Sequence, residues 1–476
     1  MTYLHGADTV RNTSDTQSVT NADTAIVALI GIAPIFDVQD DCKTVNEIVD
    51  IRNTTNAAKY FGKTYNGYTI PQALEDFYKQ GGGGRVFTVN VFDPEVHKAS
   101  FEGTKTFEKG KITLKELGIS KLVVKKADTP AEFGKDYTFE NGVITATSDG
   151  ALKDGGEVTV SYDYADITKV KPSDIIGKID TLTGKRSGAQ MIYEIKSVYG
   201  VEPTIIIAPG FVCLNEVKTA LEIISAELKA DLYVDAPINT TLDDCVKGRG
   251  EQGEINFNTA AENTTLFHHH YKVYNTVTEA YEFRYASPFA AGVRCKLDRE
   301  DKTHYSISSQ PILGIEGFDV PVTFSLNNPD CDASVLNSYG IVTTVNDGGT
   351  FKFWGNRNAS FPTQTGIMSF SCCVRQINHI EKAIEAYTLK YIDSPVSNGV
   401  IDFAKRKIQK YLDIETGKGH IVGGEISYNP AKNPAEQLAD GYIVWTYSTC
   451  PPPPIDRVRY EHDIKIKYLE TIGGED

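Results

Sequence analysis

Glu202-Pro-Thr-Ile-Ile-Ile-Ala-Pro209 and Asp231-Leu-Tyr-Val-Asp235 are the stretches that decide the fold. Both are short apolar runs, typical of strands that are buried on both faces of a sheet. Between them, residues 214–229 repeat apolar side chains at helical spacing (Val217, Ala220, Leu221, Ile224 and Leu228). Two buried strands joined by a helix predict neighbouring parallel strands with a right-handed crossover. The sequence therefore predicts an α/β core.

The same pattern extends towards the N-terminus. Ala25–Ile30 and Arg85–Val91 are predicted strands, and Thr54–Tyr60 and Ile70–Gln80 are predicted helices. The glycines at 81–84 close the second helix, whereas a phosphate-binding loop would open one, so they predict a turn. The polar residues 1–20 read as an N-terminal arm, followed by a first part of the core in residues 21–93.

The composition changes between Asp93 and Lys171. Short alternating pieces are separated there by Gly, Asp and Asn turns, as in Gly142-Val-Ile-Thr145 and Glu157-Val-Thr-Val-Ser-Tyr162. Strands at this spacing predict a small all-β sandwich or barrel. We therefore expect residues 94–172 to be a domain inserted between two α/β segments, the second of which covers residues 173–345. From about residue 262 onward this second segment is less regular, and its pattern predicts mixed strands and loops.

Residues 346–454 carry an α+β pattern. A predicted helix of about Asn398–Asp413 and a predicted strand of Gly441–Tyr447 follow a first helical stripe. That first stripe consists of Ile377, Ile380, Ile384, Tyr387 and Tyr391.

The chain continues into a strand that has no evident partner. After the stiff spacer Pro451–Pro454, the residues Arg457–Tyr468 alternate between apolar and charged side chains, with His462 as the one weak position. We expect residues 455–476 to form an arm that completes a sheet on another molecule. Its apolar face should be buried against a neighbour and exposed in an isolated chain; that face comprises Val458, Tyr460, Ile464, Ile466 and Tyr468.

Composition narrows the possible functions. The 476 residues are 41% hydrophobic and 23% charged, which is ordinary for a globular protein. The net charge of −15 argues against binding to nucleic acid or to an anionic membrane, and no apolar run is long enough for membrane insertion. The start of the chain lacks the apolar core of a signal peptide.

No pattern predicts a catalytic centre, a metal site or a cofactor. The eight cysteines are scattered without a Cys-x-x-Cys pair, so we expect mostly reduced, buried thiols. His268-His269-His270 is read as polar positions on a strand, where only His268 and His270 could share a metal. No nucleophile elbow or Cys-His pair stands in a recognisable context.

One basic run stands out in this acidic chain: Lys405, Arg406, Lys407 and Lys410. On a helix, Arg406 and Lys410 lie on a side different from that of Ile401, Ala404 and Ile408. This run is either a solvated face or a basic patch that docks onto an acidic protein partner.

Several strings in this order resemble contractile phage tail sheath proteins, over nearly the whole chain apart from the β insertion. The insertion resembles an outward-facing domain of some phage members. The strings are Ala25–Pro34, Phe61-Gly62 with Ile70–Leu74, Gly82–Val91, Ser287–Arg294, Leu336-Asn337, Gly340–Val342, Phe353–Arg357, Gly423-Gly424, Asn433-Pro434, Asp440-Gly441 and Pro453–Ile455.

The resemblance implies a fold and a role. It implies a multidomain α/β and α+β chain, with a subtilisin-like α/β middle domain that lacks a catalytic triad and an α+β C-terminal sheath domain with extended terminal arms. Subunits would stack as hexameric rings around a tail tube protein, each lending its arms to neighbouring subunits. Contraction would drive the tube through a cell envelope for genome ejection. Baseplate and tail terminator proteins would be further partners, and the sheath would assemble in the host cytoplasm before residing in the virion.

Three other readings stay open. The chain could belong to a tail-like bacteriocin or another contractile injection system, although the β insertion favours a phage. It could be a hydrolase-like α/β enzyme, which would need a nucleophile, a base and oxyanion groups. It could also be a baseplate or capsid-decoration protein, a reading that leaves the terminal strand unexplained.

Overall fold

The computed structural model describes residues 23–251, 253–255 and 257–472. The N-terminal arm expected for residues 1–20 lies outside these residues. The strands of the described part are β1 Ile26–Gly31, β2 Ile48–Ile51, β3 Arg85–Asn90, β4 Lys98–Thr106, β5 Lys111–Thr113, β6 Ser120–Lys126, β7 Thr129–Pro130, β8 Tyr137–Glu140, β9 Val143–Ala146, β10 Glu157–Ala165, β11 Ile205–Ile207, β12 Asp231–Asp235, β13 Thr264–Phe267, β14 His270–Asn275, β15 Ala280–Tyr285, β16 Gly317–Phe318, β17 Ile341–Asp347, β18 Thr350–Trp354, β19 Gly423–Tyr428 and β20 Trp445–Cys450.

The α-helices flank these strands along the chain. They are α1 Thr54–Phe61, α2 Thr69–Lys79, α3 Pro172–Ile176, α4 Glu194–Tyr199, α5 Asn215–Glu227, α6 Leu242–Gly248, α7 Ala286–Arg299, α8 Asp332–Ser338, α9 Ser371–Thr388, α10 Asn398–Lys418 and α11 Ala435–Ala439.

An eight-stranded sheet in the order β18-β17-β13-β12-β11-β1-β3-β2 forms the central body. Its six inner strands are parallel, and β2 and β18 add antiparallel edges. The parallel pairing expected between residues 202–209 and 231–235 is confirmed, because Ile205 lies opposite Asp231. The body thus combines strands from both sides of the β insertion.

Side chains on the two faces of this sheet belong to two separate cores. On β1, Val27 and Leu29 pack into one core with α2 and α7. Ile26, Ala28 and Ile30 point to the other face, which packs against α5 and neighbouring segments. This alternation follows from the two-residue repeat of a strand, and it explains why the strands read as continuous apolar runs.

Residues 98–165 contain seven strands, β4–β10, and no helix. They form a four-stranded sheet, β4-β10-β6-β7, and a three-stranded sheet, β5-β9-β8, around a core of their own. The segment leaves and re-enters the body at one place, because the Asp166 amide donates to the His97 carbonyl over 3.0 Å. His97 Nε2 also lies 3.4 Å from a carboxylate oxygen of Asp174.

The C-terminal unit is built on α9 and α10, with the β19–β20 hairpin packed on α10. Its core comprises Ile380, Ile384, Ile408, Leu412 and Ile426 together with buried tyrosines. The first half of α9 is buried against the central body, so this one helix belongs to both parts. The eight cysteines are free thiols, six of them buried, and Cys450 is exposed.

Four expectations need correction in detail. The strand expected at Gly441–Tyr447 runs from Trp445 to Cys450, because the Asn433 side chain holds the Val444 amide in a loop. Helix α10 continues beyond Asp413 to Lys418, where Gly419 (φ 80°) ends it. The boundary expected at residue 345 divides the β17–β18 hairpin. His268 and His269 link β13 to β14, and only His270 lies on a strand.

Candidate assembly surfaces

The C-terminal arm is anchored at its root. The Asp456 carboxylate accepts hydrogen bonds from Asn356 Nδ2 at 3.0 Å and from Arg357 Nη2 at 2.8 Å. The Cys373 thiol lies 3.6 Å from the Pro452 carbonyl. These contacts connect the proline spacer to the segment after β18 and to α9, so the arm leaves the molecule from a defined point.

Beyond Asp456 the arm projects its apolar side chains into solvent. The exposed fractions of the five apolar residues predicted to be buried by a neighbour range from 58% for Val458 to 90% for Tyr460. Isolated apolar side chains are common on surfaces, whereas a row of exposed apolar side chains is typical of interaction sites. The exposure agrees with what we expect of an isolated chain; burial by a neighbour stays a prediction.

The expected strand itself is absent from the single chain within residues 457–465, which have neither helix nor strand. Ile466 and Tyr468 lie in a 3-10 helix, Ile466–Thr471, instead of on a strand. A strand exists only where its amide and carbonyl groups pair with another strand, and this chain supplies no such partner to the described arm. The alternation of side chains therefore predicts which residues share a face, but it does not make the arm a strand in the single chain.

The β19–β20 hairpin has open edges. Each of its strands pairs only with the other among the described residues, from Gly423 opposite Cys450 to Tyr428 opposite Trp445. Ile426 anchors one face on α10. A two-stranded sheet is marginal by itself, and its unpaired backbone groups are a template for an added strand.

The predicted basic residues all lie on α10. Ser397 caps this helix by accepting from the Val400 amide at 3.3 Å, and Ile401, Ala404, Ile408 and Tyr411 turn inward. Lys405, Arg406 and Lys410 are exposed, and Lys407 is half-buried with its Nζ 5.5 Å from the centre of the Phe403 ring. On the same helix Lys418 pairs with Asp301, but no carboxylate of a described residue lies within ion-pair distance of these four cations.

The arm and the basic residues are not brought together by any described contact. The arm root contacts the end of β18, whereas the cations lie on the outer face of α10. The structure thus offers separate surfaces: an arm, an open sheet edge and a basic helical face. Whether they act as sites of assembly remains our prediction.

A buried ion network, which the sequence did not indicate, joins the C-terminal unit to the body. Arg375 on α9 donates to an Asp231 carboxylate oxygen at 2.7 Å and to Asp298 on α7, and also to the Thr204 carbonyl at 3.1 Å. Arg294 Nε donates to the other oxygen of Asp298 at 2.9 Å. The one available signal was a charged residue within the apolar start of α9, Cys372-Cys373-Val374.

In this network, burial and ion pairing shift the pKa values of the charged groups in opposite directions. Burial raises the pKa of Asp231 above its usual range, although Arg375 opposes the shift. Burial by itself would lower the pKa of Arg375, but the carboxylates of Asp298 and Asp231 outweigh it and raise that pKa. A second arginine, Arg294, lies against Asp298, so each carboxylate of the network has a guanidinium partner.

The histidine cluster is structural within the described residues. His268 Nε2 lies 2.8 Å from the Thr240 carbonyl, and His269 Nε2 lies 2.9 Å from the Val320 carbonyl. His270 Nδ1 lies 3.2 Å from an Asp319 carboxylate oxygen. No group of three His, Cys, Asp or Glu side chains in the described part of the chain is arranged to hold a metal ion.

A serine–carboxylate pair, Ser287 and Asp235, is fully buried in the body. The Ser287 hydroxyl donates to Asp235 over 2.5 Å, not to a histidine, and both residues have no exposed surface. Burial raises the pKa of Asp235 to about 6. A substrate cannot reach this hydroxyl, and a nucleophile needs a base within hydrogen-bond distance.

Among the described helices, none combines the length and apolarity needed to cross a membrane.

Comparison with known proteins identifies the family. The profile described as "Phage tail sheath protein central domain" matches residues 184–359. The tail sheath protein of Burkholderia phage BcepMu is 34% identical over 482 residues, covering 99% of each chain. The tail sheath protein of Escherichia phage P2 is 27% identical over 63% of this chain and 72% of its own.

Solved structures share the fold. The sheath of an extracellular contractile injection system, PVC, in its contracted state has a TM-score of 0.59 at 11% identity, covering 98% of this chain and 100% of that chain. The contracted helical sheath of the anti-feeding prophage has a TM-score of 0.59 at 13% identity, with the same coverage.

The mixed α/β, multidomain architecture therefore matches sheath structures along its length. The sequence relationship is closer than the structural ones and spans almost all of both chains. The 34% identity over almost the whole of both chains, together with the family profile that matches residues 184–359, shows that the chain belongs to the phage tail sheath protein family.

Proposed function

We propose that this chain is the repeating subunit of a contractile tail sheath that forms stacked hexameric rings around a tail tube and contracts to drive the tube through the host envelope for genome ejection. The observation that carries this proposal is the arm, whose apolar face is exposed in the single chain while its root is fixed by Asp456. Membership of the tail sheath family supports it.

The arm would form its strand on a neighbouring subunit. The open edges of the β19–β20 hairpin are the acceptor that we propose, because an added strand supplies the missing hydrogen bonds on both sides. A subunit that gives a strand to one neighbour and receives one from another makes a heterologous contact. Contacts of this kind propagate into rings or helical arrays.

This connection allows the subunits to move without separating. The proline spacer between β20 and the arm would act as the link, while each body and its C-terminal unit rotate as rigid parts. The arm and the N-terminal residues 1–20 would hold the mesh during contraction. Energy for the movement would come from replacing one set of contacts between bodies with another.

We further infer roles for the parts of one subunit. The body would be a subtilisin-like α/β domain without a catalytic triad, and the chain would not be an enzyme or need a cofactor. Residues 94–172 would form an outward-facing all-β domain. The α10 cations Lys405, Arg406, Lys407 and Lys410 would face an acidic surface of the tail tube protein, since they have no carboxylate partner in the described chain.

Further partners would bind at the ends of the polymer. These are the baseplate and the tail terminator proteins, and the assembly would form in the host cytoplasm and reside in the virion tail. Solved sheath-like chains include one from the baseplate of the anti-feeding prophage, with a TM-score of 0.57.

Truncation after Pro454 tests the proposal. Without the arm we expect soluble monomers that form no tubes, because the donated strand is lost. A sharper pair of variants keeps the arm length: Val458→Ser, Tyr460→Ser and Ile464→Ser on the apolar face, against Arg459→Ser, Glu461→Ser and Lys465→Ser on the polar face. Electron microscopy should show tubes for the polar-face variant only. Normal tubes from the truncated chain would refute the proposal.

The sheath of a tail-like bacteriocin or other contractile injection system is the second candidate. Its support is the shared fold with sheaths of extracellular injection systems. Purified particles would decide between the two, since a phage particle carries DNA in a head and the other particles carry none.

A further inference from the structure

A cleft on the body belongs to none of the surfaces described above. It lies where β1 and β3 begin, beside the end of α7, and encloses about 360 Å³. Three arginines line it: Arg52, Arg85 and Arg299. Such a convergence of guanidinium groups stands out in a chain with a net charge of −15.

Each guanidinium is held by a contact that leaves some of its N–H groups free. Arg85 donates through Nε and Nη2 to the Asp50 carboxylate at 3.3 and 2.8 Å, and Arg52 donates to the same carboxylate at 2.8 Å. Arg299 Nη1 donates to the Gly82 carbonyl at 2.9 Å. Within the described residues, Nη1 of Arg85, Nη1 of Arg52 and Nη2 of Arg299 have no acceptor.

The backbone is shaped to admit Arg299. A Cβ atom added to Gly83 would lie 2.1 Å from Arg299 Nη1, and Gly83 has φ +61°. The positive φ favours glycine, and a side chain at this position would displace the Arg299 guanidinium. The sequence predicts the turn at residues 81–84 as the end of a helix. The same turn also leaves room for the guanidinium of Arg299 beside Gly83.

Two carboxylates lie near the cleft and do not cancel its charge. Asp23 lines it and accepts from the Ala25 amide at 3.2 Å. Asp50 pairs with both Arg52 and Arg85. Three cations against two carboxylates leave a positive balance, with donors in the planar geometry that matches oxyanions.

We propose that this cleft is an oxyanion-binding site, which takes the carboxylate or phosphate class of ligand. The anion would accept from the free N–H groups of Arg299, Arg85 and Arg52 at once. Two sources have this chemistry: a free anion such as phosphate, and the acidic residues Glu470, Glu475 and Asp476 of another copy's arm. The second source rests on the proposed exchange of arms, but the first does not.

Binding to the full-length chain tests the site with two probes. One is inorganic phosphate against sodium chloride at matched ionic strength. The other is an amidated peptide of residues 468–476, compared with the same peptide carrying Gln and Asn in place of its acidic residues. Isothermal calorimetry and the thermal midpoint report binding for the native chain and for Arg299→Gln, Arg52→Gln and Lys111→Gln.

We expect at least one probe to bind, with an affinity about tenfold lower in Arg299→Gln and in Arg52→Gln. Lys111→Gln, which changes an exposed lysine of the β insertion, should bind as the native chain does. Binding of phosphate alone identifies a free anion, and preference for the acidic peptide identifies the arm. If neither probe binds, or if the cleft variants bind as tightly as Lys111→Gln, the site is refuted. If the full-length chain binds neither probe but still forms tubes, the proposed function is unaffected.

Discussion

Arg375 joins the C-terminal unit to the body through buried polar contacts. Arg375 reaches Asp231 on β12, Asp298 on α7 and the Thr204 carbonyl before β11. Elements from three parts of the chain therefore meet at one guanidinium. A buried ion pair adds little compared with apolar packing, but removing one partner leaves a buried charge without compensation.

Replacing Arg375 with Ala should therefore be severe. We expect a loss of about 3–5 kcal/mol in the free energy of unfolding, because Asp231 would lose its ion-pair partner inside the protein. Arg406→Ala, at an exposed site on α10, should change stability by no more than about 0.5 kcal/mol. Denaturant unfolding measures both. Equal, small effects would show that Arg375 does not bind the two parts.

We expect His379, which lies on α9 with Arg375, to make the fold sensitive to acid. Its side chain is buried, and neither ring nitrogen has a hydrogen-bond partner among the described groups. Burial lowers its pKa to about 4, with Glu415 opposing and Arg375 reinforcing the shift. Because the folded pKa lies below that of the unfolded chain, the neutral form stabilises the fold above pH 6.5.

This stabilisation should be lost as the pH falls from about 6.5 through 4, and the loss attributable to His379 is about 3 kcal/mol. His379→Leu removes the titrating group, so its thermal midpoint should fall less than that of the native chain between pH 7 and pH 4.5. His462→Leu, on the exposed arm, is the control. Parallel curves for His379→Leu and the native chain would contradict the prediction.

At the scale of elements, α10 serves two surfaces. Its inward stripe closes the C-terminal core, and its outward face carries cations that no described carboxylate neutralises. Exposed charges contribute little to folding, so this face can change without harm to the helix. It can therefore be tested separately from the fold.

Reversing two of these charges, Arg406→Glu with Lys410→Glu, should uncouple the sheath from the tube and leave polymerisation through the arms intact. The matched control is Lys111→Glu with Lys153→Glu, two exposed lysines of the β insertion. Electron microscopy of tails assembled with tube protein should show few extended sheaths for the first variant and normal numbers for the second. Unchanged extended tails in the α10 variant would refute a tube-facing role.

Helix α7 shows where pattern reading reaches its limit. The sequence indicated only mixed strands and loops there, yet Ala286–Arg299 is a helix of 14 residues. Twelve of them are buried, so no polar face marks a 3.6-residue repeat. Pro288 lies in the first turn, where proline is tolerated, and Gly292 lets α2 approach closely, with the Phe77 carbonyl 2.5 Å from an added Cβ. In the sequence, Pro288 and Gly292 resemble residues that interrupt a helix, and only the packing explains why α7 contains them.

At the scale of the whole molecule, the β insertion is attached through a narrow neck. His97 and Asp166 are joined by a backbone hydrogen bond, so the two ends of residues 98–165 lie side by side. The segment has its own core, and of its hydrophobic residues only Leu117 and Ala165 pack against a core of the body. Its contribution to the stability of the body should therefore be small.

Replacing residues 98–165 with a short Gly-Ser linker should leave a folded body, because closing such a short loop costs little chain entropy. We expect the far-ultraviolet spectrum to keep its helical signal and the thermal midpoint to change by only a few degrees. The arm and its acceptor are retained, so tubes should still form. An insoluble product, or one that melts without cooperativity, would show that the insertion supports the body.

The sequence by itself determined the apolar strands of the body, the parallel pairing of the two strands that flank α5, the all-β pattern of the insertion and the alternating face of the arm. These features follow from local periodicity, which chain order alone displays. Tertiary structure alone decided that Arg375 joins two parts, that α7 is a helix, and that three arginines converge beside Gly83. Each depends on residues that are distant in sequence, and contacts of this kind leave no repeat in a single chain. The arm combines both cases. Its alternating pattern is local, but the strand that we propose for it needs hydrogen bonds from another subunit.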